Sequence, residues 1–340
     1  MTVAELEHFR DVLVQREENL EEWLAHFEAA RRNEAQRVRE LIIEIRAALS
    51  RVENGGFGEC NVCHGDVETQ RLEIQPIRQV CLDCISAAER SELEQELSLA
   101  GQIHRALLPQ QIAGIPGLEV AVRSLAARVV GGDYYDFLPS TSSGWTRIVI
   151  GDIMGKGLPA GLVMSNLQGA LRILAEEIEP PAALVTRLNR WLCHNIPVTK
   201  FVSLACVSVG PPVEGIVPVR YTNAGHCPPI LLRADGDVTL LDATVTVIGV
   251  HEDFTYTEGQ TALAPGDWLV LYTDGVTEAP GPDDDLFDES RLMAFVRRHR
   301  TDAPGPFLDH LIGEVSAFSG CSEFADDLTV IALHRPDKMA

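Results

Sequence analysis

Four segments between residues 131 and 329 set carboxylates beside tight turns: Gly131-Gly132-Asp133-Tyr134-Tyr135-Asp136, Gly151-Asp152-Ile153-Met154-Gly155-Lys156-Gly157, Tyr272-Thr273-Asp274-Gly275 and Ala325-Asp326-Asp327-Leu328-Thr329. Three of them adjoin apolar, strand-like runs, RIVIGD, WLVLYTDG and DDLTVIAL, so aspartates at strand ends would share one pocket. A single Asp-Gly is ordinary hairpin chemistry. Four such segments point elsewhere. Several like charges in one pocket cost free energy unless a cation compensates, and hard oxygen donors select magnesium or manganese over zinc. With two such ions bridged by an aspartate, a shared water is acidified to hydroxide and delivered in line to phosphorus, and no side-chain nucleophile is needed.

The cysteines offer a second chemistry. Cys60-x2-Cys63, seventeen residues, then Cys81-x2-Cys84 is the spacing by which two tight turns present four thiolates to one structural zinc ion. Cys193, Cys206, Cys227 and Cys321 are single, and paired ligands with lone thiols fit a reducing compartment. A third chemistry is offered by residues 226–233, which fit H-C-x5-R, the spacing of a phosphatase thiolate and its phosphate-holding arginine. That loop needs inward-pointing backbone N–H groups, yet Pro228 and Pro229 have none, no glycine lies between Cys227 and Arg233, and Ile230, Leu231 and Leu232 read as the start of a buried strand. Such an enzyme would act without metal and be blocked by alkylation. Cys227 reads instead as a small apolar residue.

The elements that position these groups follow from composition. At 340 residues and 46% apolar, the chain has enough core for two or three units. The charged start TVAELEHFRDVLVQREENLEEW is not a signal peptide, and no run of about eighteen apolar residues suits a membrane span, so cytoplasm is expected. A net charge of -22, with lysine confined to Lys156, Lys200 and Lys338, argues against DNA as a partner. Neither Gly nor Pro occurs before Gly55, and Leu6, Phe9, Leu13, Leu20 and Leu24 begin a helical spacing, so residues 1–53 are expected as one long helix or two folded back. Asn54-Gly55-Gly56 ends it, and residues 54–88 hold the cysteine pairs. Over 89–109, Leu93, Leu97, Ala100, Ile103 and Leu107 trace an amphipathic linker helix stopped at Pro109. The remainder, 110–340, reads as α+β, with helical patterns near 158–175, 181–195, 289–300 and 305–318.

Two resemblances sharpen this picture. The run IRAALSRVENGGFGECNVCHGDVETQRLEIQPIRQVCLDC resembles the zinc finger and preceding helix of the DksA/TraR proteins over about residues 30–90. Those proteins put the tip of a helical hairpin into the secondary channel of RNA polymerase, using acidic residues near a D-x-x-D-x-A pattern. The corresponding stretch here, LAHFEAARRNEAQ, has no aspartate, so a dimerising or sensing input is expected in its place.

Residues 118–335 resemble the metal-dependent PPM serine/threonine phosphatases of the SpoIIE/RsbU type, through VVGGDYYDF, IGDIMGKGLPAGLVMS, NAGHCPPILL, LVLYTDGVTEA and FADDLTVI in family order; LAGQIHRALLP resembles the helix before that domain. The resemblance implies a sandwich of two antiparallel sheets flanked by helices, with the metals at one end. It implies Asp152 as the ligand bridging two Mn2+ or Mg2+ ions, the Ile153 carbonyl on one ion, Asp274 and Asp326 on the other, and Asp133 acting directly or through water. Asp136 and Asp327 are candidates for holding those ligands, and Asn223, Gly225 and His226 for shaping the floor of the site. Met154, where relatives often have a small residue, and Ala243-Thr244-Val245-Thr246-Val247-Ile248-Gly249, without the usual glycine-rich approach, depart from the pattern and remove no ligand. Arg128 is the best candidate for a phosphate clamp, against an equally simple reading as a solvated strand-end residue.

The expectation is a phosphoserine/phosphothreonine protein phosphatase regulated by its amino-terminal zinc-finger module. The resemblance implies a STAS-like anti-sigma factor antagonist as substrate, in a partner-switching pathway. A homodimer is expected, with residues 86–108 passing a signal by repacking at its interface. The rival is a transcription regulator acting through the finger on RNA polymerase, with the phosphatase domain as scaffold.

Overall fold

Nothing before Gly55 breaks a helix, and in the computed structural model α1 (Val3–Phe27) and α2 (Arg32–Asn54) occupy that stretch. They run antiparallel, since Arg46 of α2 pairs with Glu17 and Glu21 of α1, while nearer the start of α1 the Phe9 ring lies 5.4 Å from that of Phe57. The amino-terminal segment is therefore a hairpin. Gly55 takes φ +80°, a left-handed conformation open to glycine without strain, and ends α2 there. The structure describes residues 3–27, 32–85, 87–112, 114–140, 143–197, 199–243, 245–282, 285–320 and 324–337. Thr244, Cys321 and positions 28–31 of the stretch compared with the polymerase-binding tip lie outside the described residues.

By internal contact the chain divides into Met1–Glu96 and Leu97–Ala340. In the first unit Phe9, Leu13, Ile45 and Ala48 of the hairpin meet Phe57, Val67, Cys60, Cys81 and Leu72, the last from the short α3 (Thr69–Ile74). This core is small. Segments of this size commonly need a staple, and the two cysteine pairs sit where one would act.

The helix α4 (Ala87–Leu107) crosses the division and stops just before Pro109. Beyond it, among the described residues, lie ten antiparallel strands in two sheets. One sheet has the order β1 (Glu119–Leu125), β10 (Leu328–His334), β9 (Trp268–Tyr272), β6 (Ile230–Leu232), β7 (Val238–Leu240). The other runs β2 (Asp133–Pro139), β3 (Thr146–Ile153), β4 (Val202–Val209), β5 (Val217–Ala224), β8 (Gly259–Leu263). Between them Phe137, Ile148, Ile150, Val207, Leu269, Leu271, Ile331 and Leu333 form the central layer. The outer face of the second sheet is covered by α5 (Leu158–Glu177) and α6 (Pro181–Asn195), and that of the first by α8 (Asp288–Arg298) and α9 (Pro304–Ser319). Central strands are thus buried on both faces. That is why β3, β9 and β10 read as continuous apolar runs rather than alternating ones.

One buried charge ties sheet to helix. Arg147 on β3 is 2% exposed, and its guanidinium donates to the carbonyls of Ala175, Ile178 and Glu179 at the end of α5, at 3.0, 2.8 and 3.2 Å. The helix's negative terminus and its orphan carbonyls take the place of a counter-ion. Arg147→Met leaves those carbonyls buried and unpaired, and urea unfolding should show a loss of about 2–4 kcal/mol; a loss below about 0.5 kcal/mol would contradict this bracing role.

Candidate active site

Side-chain parity carries the aspartates to one end of the sandwich. On β3, Ile148 and Ile150 face the central layer, so Asp152, two residues on, faces inward too. Asp133 at the start of β2 is its direct cross-strand partner. Leu269 and Leu271 place Thr273 inward beyond the end of β9, and Ile331 and Leu333 place Thr329 and Asp327 inward at the start of β10. Both sheets therefore converge at the same edge. Asp274 opens the short α7 (Asp274–Thr277) immediately after β9.

Hydroxyls and backbone amides hold the carboxylates there. Thr273 Oγ1 donates to Asp133 Oδ2 at 2.8 Å, spanning the two sheets, and itself accepts the Thr329 N–H at 3.0 Å. Asp327 takes the amides of Ala127 and Gly132, at 2.7 and 2.5 Å, and so fixes the loop that leads into β2. Gly132 could carry no side chain, because a Cβ would stand 2.9 Å from Asp152 Oδ1 and 3.0 Å from the Ile153 carbonyl oxygen. Lys156 reaches the cluster from the Gly155–Gly157 turn and pairs with Asp326 at 2.8 Å.

These charges strain against one another. Burial raises the pKa of Asp133 well above the usual carboxylate value, with the charges of Asp152 and Asp327 adding to it. Asp152 is pushed up to about 7 by burial and then by Asp274, Asp326 and Asp327. Asp274 rises through burial and the neighbouring Glu278 and Asp326. A cation would reverse all three shifts. The donors are all oxygens, which suits magnesium or manganese. Among the described residues these carboxylates do not gather within one ion's span of 4.8 Å, whereas a pair of ions about 3.5–4 Å apart spreads its ligands more widely.

Other expected residues sit around this centre. Asn223 is buried on β5, donates to the carbonyls of His226 and Leu241 and accepts the His226 N–H at 2.9 Å, fixing a turn whose Gly225 has φ +66°. His226 is buried, with its pKa pushed down to about 4 by burial, and its Nδ1 lies 2.8 Å from Ser203 Oγ. Ser203 is the β4 partner of Asp152, so the neutral imidazole is one residue removed from the carboxylates. Arg128 is exposed at a cavity of about 430 Å³ that Asp133, Asp327 and Arg105 also line.

Asp136 corrects the expectation. It shares a face with Tyr134, which packs against α5 and α6, and its carboxylate accepts from Tyr134 Oη at 2.9 Å and Arg172 Nε at 2.8 Å. The cause is strand parity: three residues from Asp133, it turns to the opposite side of the sheet. The thiolate reading fails as well. Burial pushes the Cys227 thiol up to about 12, and Arg233 is committed to Asp267 at 2.7 Å and to the Ala262 carbonyl. Residues that sequence reading passed over are Thr273, Thr329, Ser203 and Lys156; the signal available was a hydroxyl one or two residues from a motif aspartate in Thr273-Asp274 and Asp327-Leu328-Thr329.

In the first unit the four sulfurs of Cys60, Cys63, Cys81 and Cys84 lie within 4.8 Å of one another. The Cys81 amide points at Cys60 Sγ at 3.4 Å, and backbone donors lower the Cys60 pKa to about 6. Thiolates at this separation, supported by amides, match a tetrahedral zinc site.

Comparison with known proteins finds relatives of both units. Residues 142–336 match the model of the family described as Stage II sporulation protein E (SpoIIE). Phosphoserine phosphatase RsbU of Bacillus subtilis is 26% identical over 247 residues, covering 72% of each chain. The solved PP2C domain of SiaA from Pseudomonas aeruginosa superposes with a TM-score of 0.65 at 21% identity, covering 73% of this chain and 99% of that one, and shares the fold. The RNA polymerase-binding transcription factor DksA of Escherichia coli is 39% identical over 56 residues, 16% of this chain and 37% of DksA.

The crowding of carboxylates fixes the sign of a pH effect. The Asp152 pKa of about 7 in the fold lies above the unfolded value of ~3.9, so between them the folded chain keeps a proton that the unfolded chain has lost. Stability from this group is complete below about pH 4 and fades as pH rises through about 7. Metal-free protein should lose stability to urea between about pH 4 and 7, and Asp152→Asn should recover about 1–3 kcal/mol at about pH 8. A variant no more stable than the parent at that pH would show that the cluster is not under electrostatic strain.

Proposed function

The chain belongs to the SpoIIE family, and on that premise we propose that it is a metal-dependent protein serine/threonine phosphatase whose centre is the inward-facing edge of the sandwich. The observation that carries the reading is the pairing of Asp133 with Asp152 across β2 and β3, with Thr273 bridging from the opposite sheet. Like charges are held together there with oxygen donors alone around them, which a pair of Mn2+ or Mg2+ ions would compensate.

In this reading Asp152, the Ile153 carbonyl, Asp274 and Asp326 would hold the ions, with Asp152 shared between them and Asp133 assisting directly or through water. Bound ions would supply a hydroxide nucleophile and polarise the phosphoryl group. The protein's own part is positional. Thr273 aims Asp133 by donating to it and opposes part of the rise that burial gives its pKa, Asp327 ties the Gly131–Gly132 turn so that the cradle stays open, and Ser203 and His226 support the strand behind Asp152. Asp326 would exchange Lys156 for an ion, leaving Lys156 free to meet a substrate phosphate. Arg128, at the mouth of the adjacent cavity, is placed to do the same. The substrate would be a phosphoserine protein of the partner-switching kind, a STAS-like anti-sigma factor antagonist, docking on the metal-bearing edge.

The four cysteines would hold one structural zinc ion, and the hairpin and finger would act as a regulatory input to a homodimeric enzyme. A second reading, RNA polymerase binding through the finger, is favoured by the 56-residue similarity to DksA. Retention of polymerase by residues 1–100 on an affinity column, absent with a finger variant, would support it.

Hydrolysis of p-nitrophenyl phosphate tests the first reading. Activity should require Mn2+ or Mg2+, fall at least ~100-fold in Asp152→Asn, and persist in Cys227→Ser. Metal-independent activity, or an active Asp152→Asn, would overturn it. In a separate assay, zinc analysis should find one ion per chain that Cys63→Ser loses together with the thermal stability of the finger; undiminished zinc in that variant would refute the cysteine site.

A further inference from the structure

A third group of metal-binding side chains stands apart from both sites. His299, Asp302 and His310 place their donor atoms within 4.8 Å of one another at the corner between α8 and α9. Nδ1 of His299 lies 2.9 Å from Asp302 Oδ2, and Nδ1 of His310 lies 3.0 Å from the same oxygen. We propose that these residues form a binding site for a borderline divalent cation of the zinc type, with water completing the shell.

The donors come from rigid elements. His299 follows α8 and its ring stacks on Phe295, centroids 4.3 Å apart, one helical turn earlier. Phe295 is itself in the core beneath these helices. Asp302 is held in the connecting turn by its amide on the His299 carbonyl at 3.0 Å. His310 projects from α9, its ring 5.2 Å from that of His299. The simpler explanation is a hydrogen-bonded corner, in which His299 anchors Asp302. That explanation leaves His310 without a task, since it repeats the bond with a side chain 57% exposed that packs little. Two imidazole nitrogens aimed at one carboxylate oxygen form an N2O set, which favours zinc over the magnesium or manganese of an all-oxygen centre.

The geometry requires little change. Zinc bonds of about 2.0–2.2 Å place tetrahedral ligands roughly 3.3–3.5 Å apart, so the donors need to separate by only a few tenths of an ångström. Each imidazole must carry its proton on Nε2 once Nδ1 binds a metal. At His299, Arg298 Nε now donates to Nε2 at 3.2 Å, so it must turn away. Arg298 is exposed and already holds Glu314 through its other nitrogen, which leaves it a place to go.

Equilibrium dialysis of the full-length protein against buffered Zn2+, with saturating Mg2+ present for the carboxylate centre, tests the site. The parent should take up one more zinc ion per chain than His310→Ala, and the difference should persist when both carry Cys63→Ser, which separates this site from the cysteines. Arg298→Ala should bind zinc at least as tightly as the parent. His310→Gln, which can keep the hydrogen bond to Asp302 while offering a poor ligand, should behave as His310→Ala does. Equal zinc uptake by the parent and both His310 variants would overturn the proposal.

Discussion

The hydrogen bond from Thr273 to Asp133 joins the two sheets at the edge where the aspartates gather, and the rest of the second unit makes that contact tolerable. Carboxylates in a half-buried edge repel one another and resist desolvation. They stay together because each lies on, or directly beside the end of, a strand that cannot yield. Central strands buried on both faces, with Ile148, Ile150, Leu269, Leu271, Ile331 and Leu333 between the sheets, supply that rigidity. The strain is local, and a bound cation would relieve it where a substrate phosphate would arrive.

Glycine matters at this edge for want of space. Gly132 has no room for a Cβ beside the oxygens of Asp152 and Ile153, and at Gly275 a Cβ would stand 2.0 Å from the Asp327 carbonyl oxygen. Both lie in the quoted aspartate segments. Their presence there reflects close backbone approach around a site, in addition to the turn chemistry that Asp-Gly suggests by itself.

Much of this was legible in the amino-acid sequence, for identifiable reasons. Helices announced themselves by spacing: residues 158–175 and 181–195 became α5 and α6, and the stop at Asn54-Gly55 fell where expected. The strand-end aspartates were legible because three of the four motifs combine a turn with an apolar run. The face each side chain occupies was not. Asp133 and Asp136 look alike in GGDYYD, and only the register of β2 against β3 sends one to the aspartate edge and the other to Arg172 on α5. The His299–Asp302–His310 corner was invisible for a similar reason, because its third member depends on how α9 folds back along α8. The sequence spacing H-x2-D-x7-H has no local meaning until that turn is known.

The central claim is that the aspartates at the sandwich edge hold two metal ions, and anomalous diffraction from crystals grown with Mn2+ tests it most directly. The account predicts two manganese peaks about 3.5–4 Å apart, with Asp152 between them and Asp274 and Asp326 on one ion. Absence of manganese from that edge, or peaks without Asp152 among their ligands, would contradict it.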